Sequence, residues 1–405
     1  MPTIDVTVSC PVHDSFRVQQ VAGMFDVPLA EKASERFEAD VPDLSERWQI
    51  GLIVGPSGSG KSTISRRAFN DKLYSGNDWP ADHAVVDCFG ELSVRHVVDL
   101  FTAVGFGSPP SWVKPYHVLS NGERFRCDLA RALAVSVGRK AESCDAEFGR
   151  ADDANPLVVF DEFTSVVDRN VAKVCSAAIA KGIRRGHLPC RFVAVTCHYD
   201  VAAWLEPDWI LDMATCQLAR SAPGSAGGSF RRPPIRLEIH RCKLDAWQLF
   251  KRHHYLSGSL PAGARCYLTT WEGIPVNFCA TVPVITKKHH RRFTRIVTLP
   301  DYQGIGIGMR AVAAVAELHR SEGHRINVTS SHPALIRHCR RSPYWKAVNV
   351  KKSGGSSQRN SRFPTYRNAV GRAVVSFEYI GGIALAPAAT PHVLPQDPIP
   401  TNRRQ

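Results

Sequence analysis

Gly55-Pro-Ser57-Gly58-Ser-Gly60-Lys61-Ser62-Thr63 satisfies the spacing G-x-x-x-x-G-K-[ST], between an apolar run, Ile50-Gly-Leu-Ile-Val54, and a stretch of helical character that begins near Ser62. The glycines let successive backbone N–H groups point at phosphate oxygens. Lys61 adds a point charge to the β- and γ-phosphates of a nucleotide, and the Ser62 hydroxyl is a Mg²⁺ ligand. Ser57 and Thr63 belong to the same loop and are expected to take part in it.

A second apolar run, Leu157-Val-Val-Phe160, ends in Asp161-Glu162. Alone such a run is common. Beside a phosphate loop it predicts that Asp161 holds the metal through water, while Glu162 polarises the water that attacks in line. The β-branched runs IGLIVG, AVVDCF, LVVFDE and FVAVTC alternate with longer helical stretches, the pattern of buried parallel strands in an α/β domain.

The chain has 405 residues, 44% of them apolar, which is globular composition and more than one ordinary core needs. Its twelve cysteines are scattered, form no CxxC pair and read as reduced thiols. No apolar run is long enough to span a bilayer and the start MPTIDVTVSC lacks the pattern of a signal peptide, so a cytoplasmic location is expected.

Charge divides the chain. Residues 1–220 hold 23 Lys+Arg against 29 Asp+Glu, a net −6, and residues 221–405 hold 28 against 8, a net +20. Between Gly323 and Phe377 stand eleven Lys or Arg and no acid. Arg337, Arg340 and Arg341, at i, i+3 and i+4, share a face if helical, and Lys351 and Lys352 continue the positive character. A nucleic-acid partner for this half is expected; a basic surface serving solubility or acidic small molecules is the other reading. SAPGSAGGSFRRPP at 221–234 reads as a flexible linker at the charge boundary, and the proline-rich 386–405 as a disordered tail. The expected domains are thus 1–220 and 235–385.

In the first domain the motifs resemble ABC-class ATPases. Leu119-Ser120-Asn121-Gly122-Glu123 looks like the family's LSGGQ signature, Ser165 to Asp168 like its D-loop, and His198, after the run FVAVTC, like its switch histidine. The resemblance implies ATP and Mg²⁺ as ligands and Glu162 and His198 as catalytic groups. It also implies a homodimer in which Ser120 and Gly122 of one copy close on the phosphate loop of the other. A histidine at a strand end is otherwise a core residue. Asn121 and Glu123 depart from the signature, and no glutamine stands near Asp87-Cys-Phe-Gly90, where the family's Q-loop falls. The segment between Lys61 and Leu119 is short for a helical subdomain that grips a membrane partner, which weakens the transporter reading.

In the second domain Gln303-Gly304-Ile305-Gly306-Ile307-Gly308 fits Q-x-x-G-x-G and follows VTLPDY, which resembles the loop with which GNAT acyltransferases hold the diphosphate of acetyl-CoA or another acyl-CoA. YLTTWEGIPVNFCATV reads as two strands around Trp271 to Gly273, FTRIVTLP as another strand, and Ile307 to about Arg320 as a helix. A mixed α+β GNAT-like domain is therefore expected after the ATPase. Tyr344 falls where that family often has a proton donor for the leaving thiolate, though a tyrosine beside Trp345 is also a packing residue. The pairs His253-His254 and His289-His290 lack metal-ligand spacing. The short segment His254-Tyr255 is similar to one in the bacteriophage Mom family, GNAT-fold proteins that modify adenine in DNA. Three functions follow: an ATPase joined to an acyltransferase that modifies nucleic acid, in layout similar to tRNA cytidine acetyltransferases; the ATPase of a transporter with an accessory domain; or an ATPase whose GNAT-like domain only docks on nucleic acid.

Overall fold

The computed structural model describes residues 3–11, 13–26, 32–69, 73–74, 76, 79–142, 156–220, 232–254, 259–285, 287–351 and 373–382. Most of the expected linker, the tail, Tyr255 and Lys352 lie outside them.

Strands β1 (Thr3–Pro11) and β2 (Lys32–Asp40) pair antiparallel, with helix α1 (Phe16–Phe25) in the connection. Next come β3 (Ile50–Val54), α2 (Lys61–Ala68), β4 (Leu73–Tyr74), α3 (Val94–Ala103), α4 (Pro109–Trp112) and α5 (Asn121–Glu142). They are followed by β5 (Leu157–Phe160), α6 (Arg169–Arg184), β6 (Arg191–Thr196), α7 (Ala202–Leu205), β7 (Trp209–Asp212) and β8 (Gln217–Arg220). The six strands β3 to β8 form one sheet in the order β4-β5-β6-β3-β7-β8, parallel except for β8.

The period of the buried residues explains the layers. Ile50, Leu52 and Val54 enter one core with Phe101, Phe106, Phe163 and Phe192, while Ile53 enters another with Val159, Val193, Val195 and Trp209. Both faces are covered, as a parallel sheet requires. The run AVVDCF departs from expectation: Val85–Asp87 is a single helical turn, not a strand. Val85 is fully buried, but its N–H donates to Lys114 O at 2.9 Å, so a loop rather than a strand takes this donor.

The remaining elements are β9 (Leu237–Cys242), α8 (Trp247–Phe250), β10 (Arg265–Trp271), β11 (Ile274–Pro283), β12 (His290–Thr298), α9 (Ile307–Ser321), β13 (Arg325–Ser330), α10 (Pro333–Arg341), β14 (Trp345–Lys351) and β15 (Val374–Tyr379). Their sheet has the order β14-β15-β13-β12-β11-β10-β9. The turn from β10 to β11 uses Glu272 and Gly273 at φ 52° and 78°, the positive pair of a tight hairpin. β12 and β13 run parallel and are paired over only His290 to Arg292.

Two compact units result: Met1–Ala262, Cys266–Phe278 and Arg295–Gly308 make the first, and Gly263–Arg265, Cys279–Thr294 and Met309–Gln405 the second. The segment Arg295–Gly308, with the glycine-rich loop, therefore belongs to the first unit. In the second unit Ala311, Val312, Val315 and Ala316 of α9 are buried, and Arg325 holds Glu378 by two hydrogen bonds of 2.6 and 2.7 Å. The class is mixed α/β.

Candidate functional site

The phosphate loop joins β3 to α2 at the C-terminal edge of the parallel strands, where ligands gather in such sheets. Gly60 caps α2 at φ 80°, and a Cβ built on it would lie 2.4 Å from the Phe37 ring of β2, so no side chain fits there. Phe37 was not singled out by sequence; its only signal is an aromatic residue within the polar strand KASERFEAD. Gly55 is buried, Ser57 and Gly58 are exposed, and Lys61, Ser62 and Thr63 are half-buried. Lys61 Nζ donates to Pro56 O at 2.6 Å.

The structure brings the two acid-bearing and hydroxyl-bearing segments together: Ser62 Oγ donates to Asp161 Oδ1 at 3.1 Å. Strand order explains this, because β6 alone separates β3 from β5, and His198 follows β6 itself. Asp161 is tied to its strand end by its N–H, which donates to Tyr74 O at 2.9 Å. A hydroxyl and a carboxylate at this separation are hard oxygen ligands of the kind Mg²⁺ takes, so the residues fit that ion. Glu162 is exposed at φ 49°, turned out of the strand, while the next residue is pulled inward: Phe163 N–H donates to Val195 O at 2.8 Å and its ring is fully buried. His198 is half-buried, and its N–H donates to Thr196 Oγ1 at 3.1 Å.

Ser120 and Glu123 close the start of α5 reciprocally. Glu123 Oε2 accepts from the Ser120 N–H and Oγ, both at 3.0 Å, the Ser120 Oγ accepts from the Glu123 N–H at 3.4 Å, and Glu123 Oε1 accepts from Ser111 Oγ at 2.7 Å. This is a capping box, which a glutamate serves as well as a glutamine. Burial raises the Glu123 carboxyl, but the hydrogen bonds from Ser111 and Ser120 outweigh it and leave it below the ordinary value. Gly122 is half-buried in the first turn. Asp168 caps α6, accepting from Asn170 N–H at 2.8 Å and Val171 N–H at 3.0 Å.

The loop Gln303–Gly308 lies against the same α6. Gln303 Oε1 accepts from Gly107 N–H and its Nε2 donates to Thr298 O, both at 2.8 Å, so its amide is fixed at both ends. Gly304, at φ 93°, approaches so closely that a Cβ on it would lie 2.8 Å from Gly105 Cα. Lys181 Nζ donates to Gly304 O at 2.9 Å and would stand 3.6 Å from a Cβ on Gly306. Gly308 lies in the first turn of α9, where a Cβ would meet Thr298 Oγ1 at 2.5 Å. Tyr302 joins Val174 of α6, Val276 and Ile307 in a small apolar cluster. None of these partners, Gly105, Gly107 or Lys181, is signalled by local sequence.

In the second unit Tyr344 is half-buried, its carbonyl accepts from Ile380 N–H at 2.9 Å, and a Cβ on Gly382 would lie 3.0 Å from its ring. Arg337 is half-buried and Arg340 and Arg341 are exposed, all on α10; Lys346 and Lys351 are exposed on β14, an edge strand.

No family model matches the chain, and no curated protein matches it in sequence. In structure the chain is similar to GNAT acetyltransferases over one part and to ABC ATPase cassettes over another. An IAA acetyltransferase from Bacillus cereus matches at 12% identity and TM-score 0.28, over 36% of this chain and 99% of that one. The ribosomal-protein-S18-alanine N-acetyltransferase of Escherichia coli matches at 16% identity and TM-score 0.27, over 37% and 99%. A dimeric bacterial ABC transporter cassette matches at 15% identity and TM-score 0.33, over 45% and 87%. Among the described residues no helix is long and apolar enough to cross a membrane.

Proposed function

We propose that the chain binds and hydrolyses ATP at Gly55 to Thr63 and transfers an acyl group from acyl-CoA held at Gln303 to Gly308, with a nucleic acid as acceptor. The observation that carries the first part is the Ser62 Oγ to Asp161 Oδ1 approach of 3.1 Å beside a complete phosphate loop. Lys61 and the loop amides bind the phosphates, Ser62 and Asp161 hold Mg²⁺, and Glu162 takes the proton of the attacking water. Mg²⁺ when bound neutralises charge on the β- and γ-phosphates. Ser120 and Gly122 serve the loop of a second copy, and His198 orders the γ-phosphate end.

In the transfer step a nucleophilic nitrogen of the acceptor attacks the thioester carbonyl; a C–N bond forms, the C–S bond breaks, and Tyr344 gives its proton to the departing thiolate while the nitrogen loses one to water. The basic residues of α10 and β14 favour a polyanionic acceptor. The test pairs two measurements. ATP hydrolysis by wild type that Glu162→Gln abolishes while ATP remains bound supports the first part, and undiminished hydrolysis removes Glu162 from this role. Nucleoside mass spectra of DNA and RNA from cells expressing wild type or Gly306→Glu should differ by an acyl mass; identical spectra overturn the acceptor.

A further inference from the structure

Lys181 lies in the last turn of α6, on the flank of the glycine loop. Burial, then the charges of Arg185, which follows its helix as the C-cap, and Arg232 from the segment before β9, push its ammonium down to about 8. No carboxylate contributes. The N–H groups of Gly304, Ile305 and Gly306 find no backbone acceptor among the described residues, and the Gly304 carbonyl accepts from Lys181 Nζ at 2.9 Å. Gly306 leaves open the space beside that ammonium, since even a Cβ would stand 3.6 Å from it. Amides without backbone acceptors beside a lysine ammonium are an anion site, while Arg232 itself is held by an acid, its N–H donating to Glu206 Oε1 at 3.2 Å.

We propose that Lys181, backed by Arg185 and Arg232, is a ligand of the acyl-CoA diphosphate, so that the donor site is built jointly by the ATPase helix α6 and the loop Gln303–Gly308. The inference rests on the acyl-CoA reading above. An anion that binds a lysine whose ammonium is held below its ordinary value draws a proton onto it at a pH near 8. A lysine that only braces the loop takes up none.

The experiment is calorimetry on the full chain with CoA, and with inorganic diphosphate as a second probe, at pH 8 in two buffers of different ionisation enthalpy. Wild type should bind CoA with proton uptake. Lys181→Met should bind about tenfold to a hundredfold more weakly. Lys181→Arg should keep most of the affinity and lose the uptake, because guanidinium does not titrate in this range. ATP binding, unchanged in both variants, reports that the fold is intact. Equal or tighter CoA binding by Lys181→Met, or uptake that persists in Lys181→Arg, overturns the role of Lys181 and leaves the loop as donor site. Absence of both CoA and diphosphate binding in wild type overturns the acyl-CoA reading and this inference with it.

Discussion

The guanidinium of Arg126, one turn beyond Gly122 on α5, reaches Asp301 of the turn before Gln303, with Nη2 3.4 Å from Oδ1. Arg126 is 1% exposed and its Nε has no hydrogen-bond partner. A Cβ on Gly122 would lie 3.4 Å from its Nη1. One buried side chain thus lies beside Gly122, in the segment expected to close on ATP, and reaches the turn that leads into the loop expected to hold the acyl donor.

Neutralising Asp301 should cost stability, since a buried guanidinium loses its carboxylate. Asp301 is half exposed and the pair is long, so Asp301→Asn should lower unfolding free energy by about 1–2 kcal/mol rather than the larger figure of a tight buried pair. Arg126→Met removes the charge that needs compensation. In a double-mutant cycle read by denaturant unfolding, Asp301→Asn should therefore cost much less in the Arg126→Met background. Additive losses would show that the two residues do not act as a pair.

Asp161→Asn should weaken Mg-ATP binding by about tenfold or more, as loss of one charged contact does, and should remove most of the difference in nucleotide affinity between buffers with Mg²⁺ and with a chelator. Ser62→Ala should do the same to a smaller degree, because a neutral ligand is lost. Fluorescent-nucleotide titration measures both. An Asp161→Asn chain whose affinity still depends on Mg²⁺ as wild type does would place the ion elsewhere.

How much of this could be read in advance differs by element. The phosphate loop was legible because its chemistry is local: nine consecutive residues carry the glycines, the lysine and the hydroxyls, and the strand before it is apolar throughout. The pairing of Ser62 with Asp161, 99 positions apart, was legible only because both motifs end strands of one parallel sheet. AVVDCF misled because a short apolar run is buried whether it forms a strand or a turn, and Val85 satisfies the period of either. Lys181 was invisible. It is one of several polar residues on the helix RNVAKVCSAAIAKGIR, nothing in the local sequence sets it apart from Lys173 or Arg184, and what gives it meaning, Gly304, is 123 residues away.

The capping box at α5 makes a pH prediction. The Glu123 carboxyl titrates below its ordinary value of 4.5 in the folded chain, so folding gains stability from it that is present above that value and lost as pH falls through the lowered one. Glu123→Gln keeps an acceptor for Ser120 and removes the titration. The gap in melting temperature between wild type and Glu123→Gln should therefore shrink or reverse in wild type's disfavour between pH 6 and pH 3.5, while Glu123→Ala should lose about 1 kcal/mol at neutral pH with the cap. A gap independent of pH would mean that Glu123 contributes only its shape.

Nucleic-acid binding is tested by salt. Arg340 and Arg341 end α10 exposed, and Lys346 and Lys351 are exposed on β14. If several of them neutralise phosphates, each contact releases condensed counterions, and log affinity should fall with log salt by about 0.9 per contact on a B-form duplex. Four contacts would mean a loss of roughly a hundredfold or more between about 50 and 200 mM salt. Arg340→Glu with Arg341→Glu should lower affinity and flatten that slope by about two contacts, and should leave ATP hydrolysis unchanged, because neither residue belongs to the nucleotide site. Fluorescence anisotropy with labelled duplex DNA, single-stranded DNA and RNA measures slope and affinity together. Absence of binding at low salt, or a slope that survives the double reversal, would return the acceptor to a small amine or a protein.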